Sequence, residues 1–419
     1  MADDFVSINI TEMIAKLSPI QPERCICKVP SYLRKVDEQA YEPHQLAIGA
    51  YHRGKVHLEA MEEHKLRYLQ KLLEERKEIN DVSKYVKAMK ELETRARDCY
   101  TDPVNLESDD FVKMMLLDGC FIVQLIRMYF DISLRVDNDP IFEAAGLSYF
   151  LCRDLLLLEN QIPFFVVLEL LGMIGISDKE DFTRMILEFL KYTLPDSRFF
   201  EDGVKSINEI RHLLDLIHEY WRPSPIEIAA YRNAKETDTS LTRCATELKE
   251  AGIKFKKVKG QSLFDIKYEK GTLKIPTLEI NDWTNYLLRN LIALEQLSPY
   301  RCINHITDYT VFMDCLINSA KDVEILTHCG IVDINLGDDE AAATMFNRLT
   351  DSVFYSSSTY YYREVSDEVN AYCRKRQNKW LANLNHNYFN SPWALVSVLA
   401  AAVIVLLTLM QTIFSGIAL

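Results

Sequence analysis

Two long apolar stretches stand out in the pattern of hydrophobic and polar positions, and charged residues interrupt only one of them. The first, DLLLLENQIPFFVVLELLGMIGI at 154–176, contains Glu159, Asn160 and Gln161. A charge at the centre of a membrane costs roughly 2.5 to 3.5 kcal/mol on insertion scales, so this stretch favours the core of a folded domain. Pro163 suits the first turn of a new helix, because proline has no N–H to lose there. We therefore expect a buried helical hairpin whose polar corner residues satisfy the helix ends.

The second stretch, WALVSVLAAAVIVLLTLMQTIF from Trp393 to Phe414, has no ionisable residue over 22 positions. At 1.5 Å per residue a helix of this length rises about 33 Å, enough to span the hydrocarbon core of a bilayer. The tail at 415–419 is uncharged, whereas four basic residues precede the stretch: Arg374, Lys375, Arg376 and Lys379. The segment predicts a tail-anchored, single-pass membrane protein, and the positive-inside rule leaves the bulk of the protein in the cytosol. We expect the plasma membrane rather than an endomembrane.

Helical periodicity covers most of the chain between and before these stretches. The segment at 55–79, KVHLEAMEEHKLRYLQKLLEERKEI, has one apolar and one charged side, which is typical of an amphipathic helix. Further helices are expected over 82–100, from Ser108 onwards and through 146–220, and Asp338 resembles an N-cap before EAAATMFNRL. Strict alternation appears only in SLFDIKYEKGTLKIPTLEI, where Gly271 stands in the turn, and it predicts a β-hairpin near 262–280.

These elements predict a mostly α protein: a single large helical domain at 21–385 with a small β-hairpin, plus one C-terminal transmembrane helix at 393–414. A short N-terminal segment at 1–20 precedes the domain, and a juxtamembrane stretch at 386–392 follows it. Two prolines and the polar run RNAKETDTS mark 222–240 as a mobile loop inside the domain.

Composition narrows the class of protein further. The chain is 48% hydrophobic and 26% charged, as in globular proteins, and its 13 glycines and 13 prolines are few for 419 residues, which favours helices over a glycine-rich β-sandwich. The net charge of −13 argues against nucleic acid as a partner. Ten dispersed cysteines, several within apolar helical patterns, are expected to be reduced thiols in a cytosol-facing domain.

Several collinear motifs resemble one plant family. They are CKVPSYLRKVDEQAYEPHQLAIGAYHRG at 27–54, DLLLLENQIPFF at 154–165, FDIKYEKGTLKIPTLEI at 264–280 and YTVFMDCLINSAKDVEIL at 309–326. Over roughly 25–415 the chain resembles the plant family called domain of unknown function 247. The resemblance implies a single-pass plant membrane protein with no assigned activity and no agreed active-site motif. Ala50 stands where the family usually has a proline.

Residues with metal-binding chemistry lack metal-binding spacing. His44, His52, His57 and His64 crowd the N-terminal part, yet no H-E-x-x-H pattern occurs, and the gap in Cys25-Ile26-Cys27 is too short for a C-x₂-C zinc knuckle. Walker-A, Rossmann, kinase and G-x-S-x-G signatures are also absent. The sequence therefore predicts no metal site and no cofactor.

Two polar groups are the candidates for acid–base chemistry. Asp154 and Glu159 lie in an apolar setting that could raise a carboxyl pKa, although such groups more often satisfy helix-terminal amides. In HLLDLIHEYW, Asp215 is three residues from both His212 and His218, so a helix would bring them together as a base and its orienting carboxylate. Ordinary capping or pairing of these histidines is the structural alternative.

A basic run offers a candidate binding surface. The segment KFKKVKG contains four lysines: Lys254, Lys256, Lys257 and Lys259. They are expected either to approach anionic lipid or to form a solvated strand edge. Taken together, these patterns favour a membrane-anchored interaction, recognition or signalling scaffold with protein partners. The alternative is an enzyme of unfamiliar type that uses carboxylate or histidine acid–base catalysis in a helical pocket. Whether the chain is an enzyme stays open at this point.

Overall fold

The structure is a computed structural model, and it describes residues 5–15, 24–75, 77, 81–135, 138–144, 146–195, 207–224, 228–229, 240–258, 262–298, 303–335, 337–356, 359–375 and 392–417. The helices of the N-terminal half are α1 Phe5–Ala15, α2 Ser31–Arg34, α3 Ala60–Glu75, α4 Ser83–Asp98, α5 Ser108–Phe130, α6 Pro140–Glu143, α7 Leu147–Asp154, α8 Phe164–Met173 and α9 Lys179–Leu190. Those that follow are α10 Leu213–Tyr220, α11 Ala245–Glu250, α12 Asp282–Leu297, α13 His305–Leu316, α14 Ala320–His328, α15 Asp339–Leu349, α16 Arg363–Arg374 and α17 Pro392–Ile417. Short 3₁₀ turns occupy Glu38–Tyr41, Val56–Leu58, Ile132–Leu134, Lys191–Thr193 and Ile207–Glu209.

Helix α5 forms the centre of the N-terminal half. Its sequence is apolar on all sides, as expected of a helix that is surrounded by others, and α3, α4, α8 and α9 pack around it. Gly119 allows α8 to approach closely, because a Cβ at this position would lie 2.4 Å from the Cδ1 atom of Leu170. The predicted amphipathic helices at 55–79 and 82–100 correspond to α3 and α4.

Among the described residues, the strands form two small sheets in the C-terminal half. β2 Lys267–Glu269 and β3 Thr272–Pro276 pair antiparallel around a turn with Gly271 at φ +81°, which is the predicted hairpin. β1 Lys254–Val258 joins β3 in parallel, with Lys254 opposite Thr272, so the order of this sheet is β1-β3-β2. β4 Leu278–Ile280 and β5 Val332–Ile334 form the second sheet, also in parallel. The parallel pairs join segments that no local pattern connects.

One hydrophobic core extends through both halves of the domain. Buried apolar residues form a single cluster that reaches from Cys25 to Cys373 along the chain. The opening apolar stretch lies inside this core as α7, a sharp corner and α8, and its leucines at 155–158 are almost fully buried. Asp338 caps α15 by accepting a hydrogen bond from the N–H of Ala341, as its position predicts. A mostly helical protein with a small sheet is what the sequence led us to expect.

The prediction of a transmembrane helix needs correction. Residues 392–417 do form a helix, but among the residues described here no helix is long and apolar enough to cross a membrane. The absence of charge is one condition for a span, but the length and the mean apolar character of the helix must also suffice. The predictions of a membrane span from Trp393 to Phe414, a tail anchor and a single-pass membrane protein are therefore wrong.

Some predicted segments fall outside the described residues. Most of the loop at 222–240 and of the juxtamembrane stretch at 386–392 lies there, as do Lys259 and the ends of the N-terminal segment at 1–20.

Candidate functional site

The corner between α7 and α8 binds the N-terminal segment 24–54 through buried polar side chains. Asp154 accepts hydrogen bonds from the backbone N–H groups of His44 (3.0 Å), Gln45 (2.7 Å) and Leu46 (2.9 Å). Its neighbour Arg153 contacts it at 2.9 Å and reaches the carbonyl of Glu42 at the same distance. Burial raises the pKa of Asp154, and the three backbone donors and Arg153 oppose that shift.

The next three corner residues complete this attachment. Glu159 accepts from the N–H of Val29 and from Arg34, both at 2.6 Å. Asn160 accepts from the N–H of Ile48 at 2.7 Å and donates to the carbonyl of Leu46 at 2.8 Å. Their lone pairs and protons are thus used inside the protein, which supports the structural interpretation of this polar group over the catalytic one.

The side chain of Gln161 forms hydrogen bonds within the corner and to the neighbouring helix α10. Its amide donates to the carbonyls of Leu155 and Leu157, both at 2.8 Å, and its side-chain oxygen accepts from the N–H of Leu214 at 3.3 Å. We call Asp154, Glu159, Asn160 and Gln161 the corner network.

A buried ion pair supports the same segment from α3 and α5. The ammonium of Lys65 lies 2.6 Å from Asp118, and both side chains are inaccessible to solvent. Asp118 also accepts from the N–H of Gly49 at 2.8 Å, and Lys65 donates to the carbonyl of Ala47 at 2.6 Å. Burial raises the pKa of Asp118, and Lys65 counteracts this. The pair therefore fixes the backbone at 47–49.

The two histidines that were predicted to share Asp215, His212 and His218, have different partners in the structure. His212 is the N-cap of α10, and its Nδ1 accepts from the N–H of Asp215 at 3.2 Å. Asp215 accepts from the N–H of Arg211 at 2.8 Å, so its carboxylate also serves the start of the helix. His218 contacts a different partner: its Nε2 lies 2.9 Å from the carboxylate of Glu295 in α12.

His305 at the start of α13 completes a buried cluster with His218 and Glu295. Its Nδ1 lies 3.6 Å from the same carboxylate oxygen, and all three residues are at most 3% exposed. Glu295 also accepts from the N–H groups of Ile306 (3.1 Å) and Thr307 (2.8 Å). Burial acts to raise the pKa of Glu295, but His218, His305 and Thr307 lower it below its usual value, so the carboxylate is ionised.

Sequence reasoning found only one member of this cluster. His218 and Glu295 are 77 positions apart, and no local spacing connects them. The available signal was a carboxylate in the otherwise apolar stretch LLRNLIALEQL, because a charge at a buried helical position needs a partner.

Aromatic side chains gather at the surface beside the corner network. Trp283 contacts Tyr149 and Phe150 edge-on, with ring centroids 4.6 and 5.5 Å apart, and lies 5.8 Å from Tyr286. The guanidinium of Arg153 lies 4.3 Å from the centroid of the Tyr286 ring. Phe150 is 37% exposed, whereas Trp283 is 7% exposed. We call Tyr149, Phe150, Trp283 and Tyr286 the aromatic surface.

A small cavity of about 10 Å³, room for about one water molecule, lies in this region. Its lining consists of Arg153, Leu156, Leu157, Thr193, Trp283, Tyr286 and Leu287. The Nε1 of Trp283 and the Nε of Arg153 are buried, and neither has a hydrogen-bond acceptor among the residues described. Both atoms carry a proton, so two residues of the lining each have a buried donor with no acceptor among the residues described.

The predicted lysine surface lies on β1. Lys254, Lys256 and Lys257 are exposed on this strand, which is an outer strand of its sheet as far as the chain is described. Lys259 lies outside the described residues. Binding of anionic lipid there stays a prediction.

Comparison with known proteins agrees with the resemblance in the motifs. A model of a plant protein family of unknown function matches residues 26–407. The UPF0481 protein At3g47200 of Arabidopsis thaliana is 32% identical to this chain, over 93% of the chain and 85% of the relative. The putative UPF0481 protein At3g02645 of the same plant is 23% identical, over 92% of the chain and 89% of the relative. No solved structure matches the chain.

Proposed function

Because the chain belongs to the plant family called domain of unknown function 247, which has no named activity, we propose its function from the geometry: it is an interaction protein that binds a polypeptide segment of a partner at the aromatic surface. The observation that carries this proposal is the exposed Phe150 in contact with the largely buried Trp283, whose Nε1, like the Nε of Arg153, is a buried donor with no acceptor among the residues described.

The composition of this surface is that of binding hot spots. Tryptophan, tyrosine and arginine dominate the energetics of protein interfaces, because they bury a large area around a polar anchor. Trp283, Tyr286 and Arg153 stand together here, with Arg153 held in place by Asp154 and the carbonyls of the N-terminal segment. The corner network therefore acts as a rigid support for the aromatic surface.

The pocket also indicates what the partner must present. Since both buried polar atoms without an acceptor are donors, the partner supplies an oxygen, either a backbone carbonyl or a carboxylate. The surrounding rings pack against an apolar side chain of the same segment. The acid–base alternative has less support, because the carboxylates of Asp154 and Glu159 already accept several hydrogen bonds within the protein.

A displayed library of random peptides tests this proposal, with the purified full chain as the target. We expect enriched peptides to bind the Phe150→Ala variant at least about ten-fold more weakly, which corresponds to about 1.4 kcal/mol. The matched control is Ile132→Ala, which truncates another apolar side chain, 71% exposed, away from the pocket. Failure to enrich peptides, or equal binding to wild type and Phe150→Ala, contradicts the proposal.

A further inference from the structure

The cluster of His218, Glu295 and His305 has the composition of a metal site. Two imidazole nitrogens and one carboxylate oxygen suit zinc and neighbouring transition metals, which favour nitrogen and oxygen ligands of this kind. The ligand atoms of the three residues all lie within 4.8 Å of one another. They come from three different helices, α10, α12 and α13.

The distances are close to those that a tetrahedral ion requires. Ligands about 2.0 to 2.1 Å from zinc are roughly 3.3 Å apart at a tetrahedral angle. The Nε2 of His218 and the Nδ1 of His305 lie 2.9 and 3.6 Å from the same oxygen of Glu295, on either side of that value. The two nitrogens lie within 4.8 Å of each other, so a closure of this third distance by at most about 1.5 Å, to about 3.3 Å, would place one ion between the three atoms.

The surroundings orient the ligands as metal sites generally do. The second oxygen of Glu295 accepts from the N–H and the hydroxyl of Thr307, at 2.8 and 2.6 Å, which fixes the carboxylate. The Nδ1 of His218 faces Glu219 at 3.8 Å, and Phe264 packs edge-on against His305 with centroids 5.1 Å apart. Hydrogen bonds to the ligands and an apolar shell both strengthen binding of a metal ion.

We propose that His218, Glu295 and His305 form a structural binding site for a divalent transition-metal ion of the zinc class. With the ion bound, His218 is a neutral imidazole whose Nε2 lone pair binds the ion and whose single N–H is on Nδ1, toward Glu219. A ring with its only proton on Nε2 reaches this form by tautomerisation, and a doubly protonated ring reaches it by release of the Nε2 proton to solvent. The three side chains leave one position of a tetrahedral ion for a water molecule. Because all three residues are at most 3% exposed, that position is closed to a substrate, and the role of the ion is to hold the helices together.

Metal analysis of the purified full chain tests this proposal after removal of any affinity tag, treatment with a chelator and titration with Zn²⁺ or Co²⁺. We expect about one equivalent of zinc per chain to remain after dialysis, and Co²⁺ to give the visible absorption of a four- or five-coordinate site. The melting temperature should rise with the metal concentration, since an ion that binds only the native state stabilises it.

Matched variants separate this site from adventitious binding. Glu295→Gln keeps the shape of the side chain and an oxygen for the N–H of Thr307, but it removes the anionic ligand, so the retained zinc should fall from one equivalent to none. His218→Gln should have the same effect, and the exposed His328→Gln, on α14, should retain one equivalent. Absence of retained zinc in the wild type, or unchanged retention in both Glu295→Gln and His218→Gln, overturns the proposal.

Discussion

Gly49 lies in close contact with the corner between α7 and α8. Its φ of +74° lies in the left-handed region, and a Cβ at this position would lie 2.1 Å from the carbonyl oxygen of Gln161. Only glycine therefore allows its N–H to reach Asp118 while the backbone contacts the corner.

We expect Gly49→Ala to destabilise the protein by more than about 4 kcal/mol, because the carbonyl of Gln161 cannot move without loss of the corner network. The matched control is Gly54→Ala: Gly54 has a φ of +82°, but nothing lies within 4 Å of its added Cβ. That variant should lose only about 1 to 2 kcal/mol, the cost of a left-handed alanine. Urea unfolding measures the free energy of unfolding of both variants. Equal losses of stability would contradict a steric clash at position 49.

His52 is a buried titratable group beside the corner network. It is 2% exposed, and its Nε2 lies 3.4 Å from Glu159. Burial, together with the positive charges of Lys55 and Arg34, lowers its pKa to about 3, although Glu42 opposes the shift.

This shift predicts a dependence of stability on pH. An unfolded histidine binds a proton near pH 6.5, so between there and about pH 3 the unfolded state holds a proton that the native state lacks. The free energy of unfolding therefore decreases as the pH falls through this range. Between about pH 7 and about pH 5, we expect the wild type to lose about 2 kcal/mol more than His52→Gln, which has no imidazole to protonate.

Urea unfolding of both proteins at the two pH values measures this difference. His328→Gln is the matched control, since His328 is exposed, and its loss of stability should equal that of the wild type. If His52→Gln loses as much stability as the wild type between about pH 7 and about pH 5, protonation of His52 in the unfolded state does not cause the pH dependence.

The corner between α7 and α8 shows how an element can depend on a distant segment. Its side chains satisfy backbone N–H groups at 29, 44–46 and 48, more than 100 positions earlier in the chain. The sequence predicted the hairpin and its polar corner, but it assigned the corner residues to the helix ends. The partners differ because the extended segment packs over the corner, and no local pattern encodes that contact.

We expect Asp154→Asn to destabilise the protein by about 3 kcal/mol. The amide leaves the buried Arg153 without its charged partner, and its NH₂ group faces backbone N–H groups, which are also donors. The matched control is Asp338→Asn at the exposed N-cap of α15, where asparagine caps as well as aspartate and little change is expected. Urea unfolding measures the stability, and limited proteolysis should cut Asp154→Asn sooner within 43–47. A loss no larger than that of the control would contradict the assigned role.

The whole domain shares one core, and this determines how its thiols are exposed. Cys120 in α5 and Cys373 in α16 are both buried and belong to the same cluster of apolar residues. Burial raises the pKa of Cys120 to about 12 and also raises that of Cys373, so both are protonated thiols of low reactivity in the native state.

We expect Cys120 and Cys373 to react with an alkylating reagent only when the domain unfolds, and both at the same urea concentration, because one core unfolds as one unit. Mass spectrometry of labelled peptides measures each cysteine separately, and the half-buried Cys329 provides a comparison that reacts earlier. Labelling of Cys373 at a clearly lower urea concentration than Cys120 would show two independent units.

The sequence by itself determined the helical character of the protein, the buried hairpin at 154–176, the β-hairpin around Gly271 and the family, because periodicity, turn residues and motifs are local signals. Tertiary structure alone decided that the corner network binds the N-terminal segment, that Glu295 and His305 join His218, and that the aromatic surface forms beside Arg153. It also overturned the transmembrane helix, which rested on the absence of charge and on the length of the segment. These outcomes depend on contacts between residues far apart in the chain, and such contacts exist only once the core has packed.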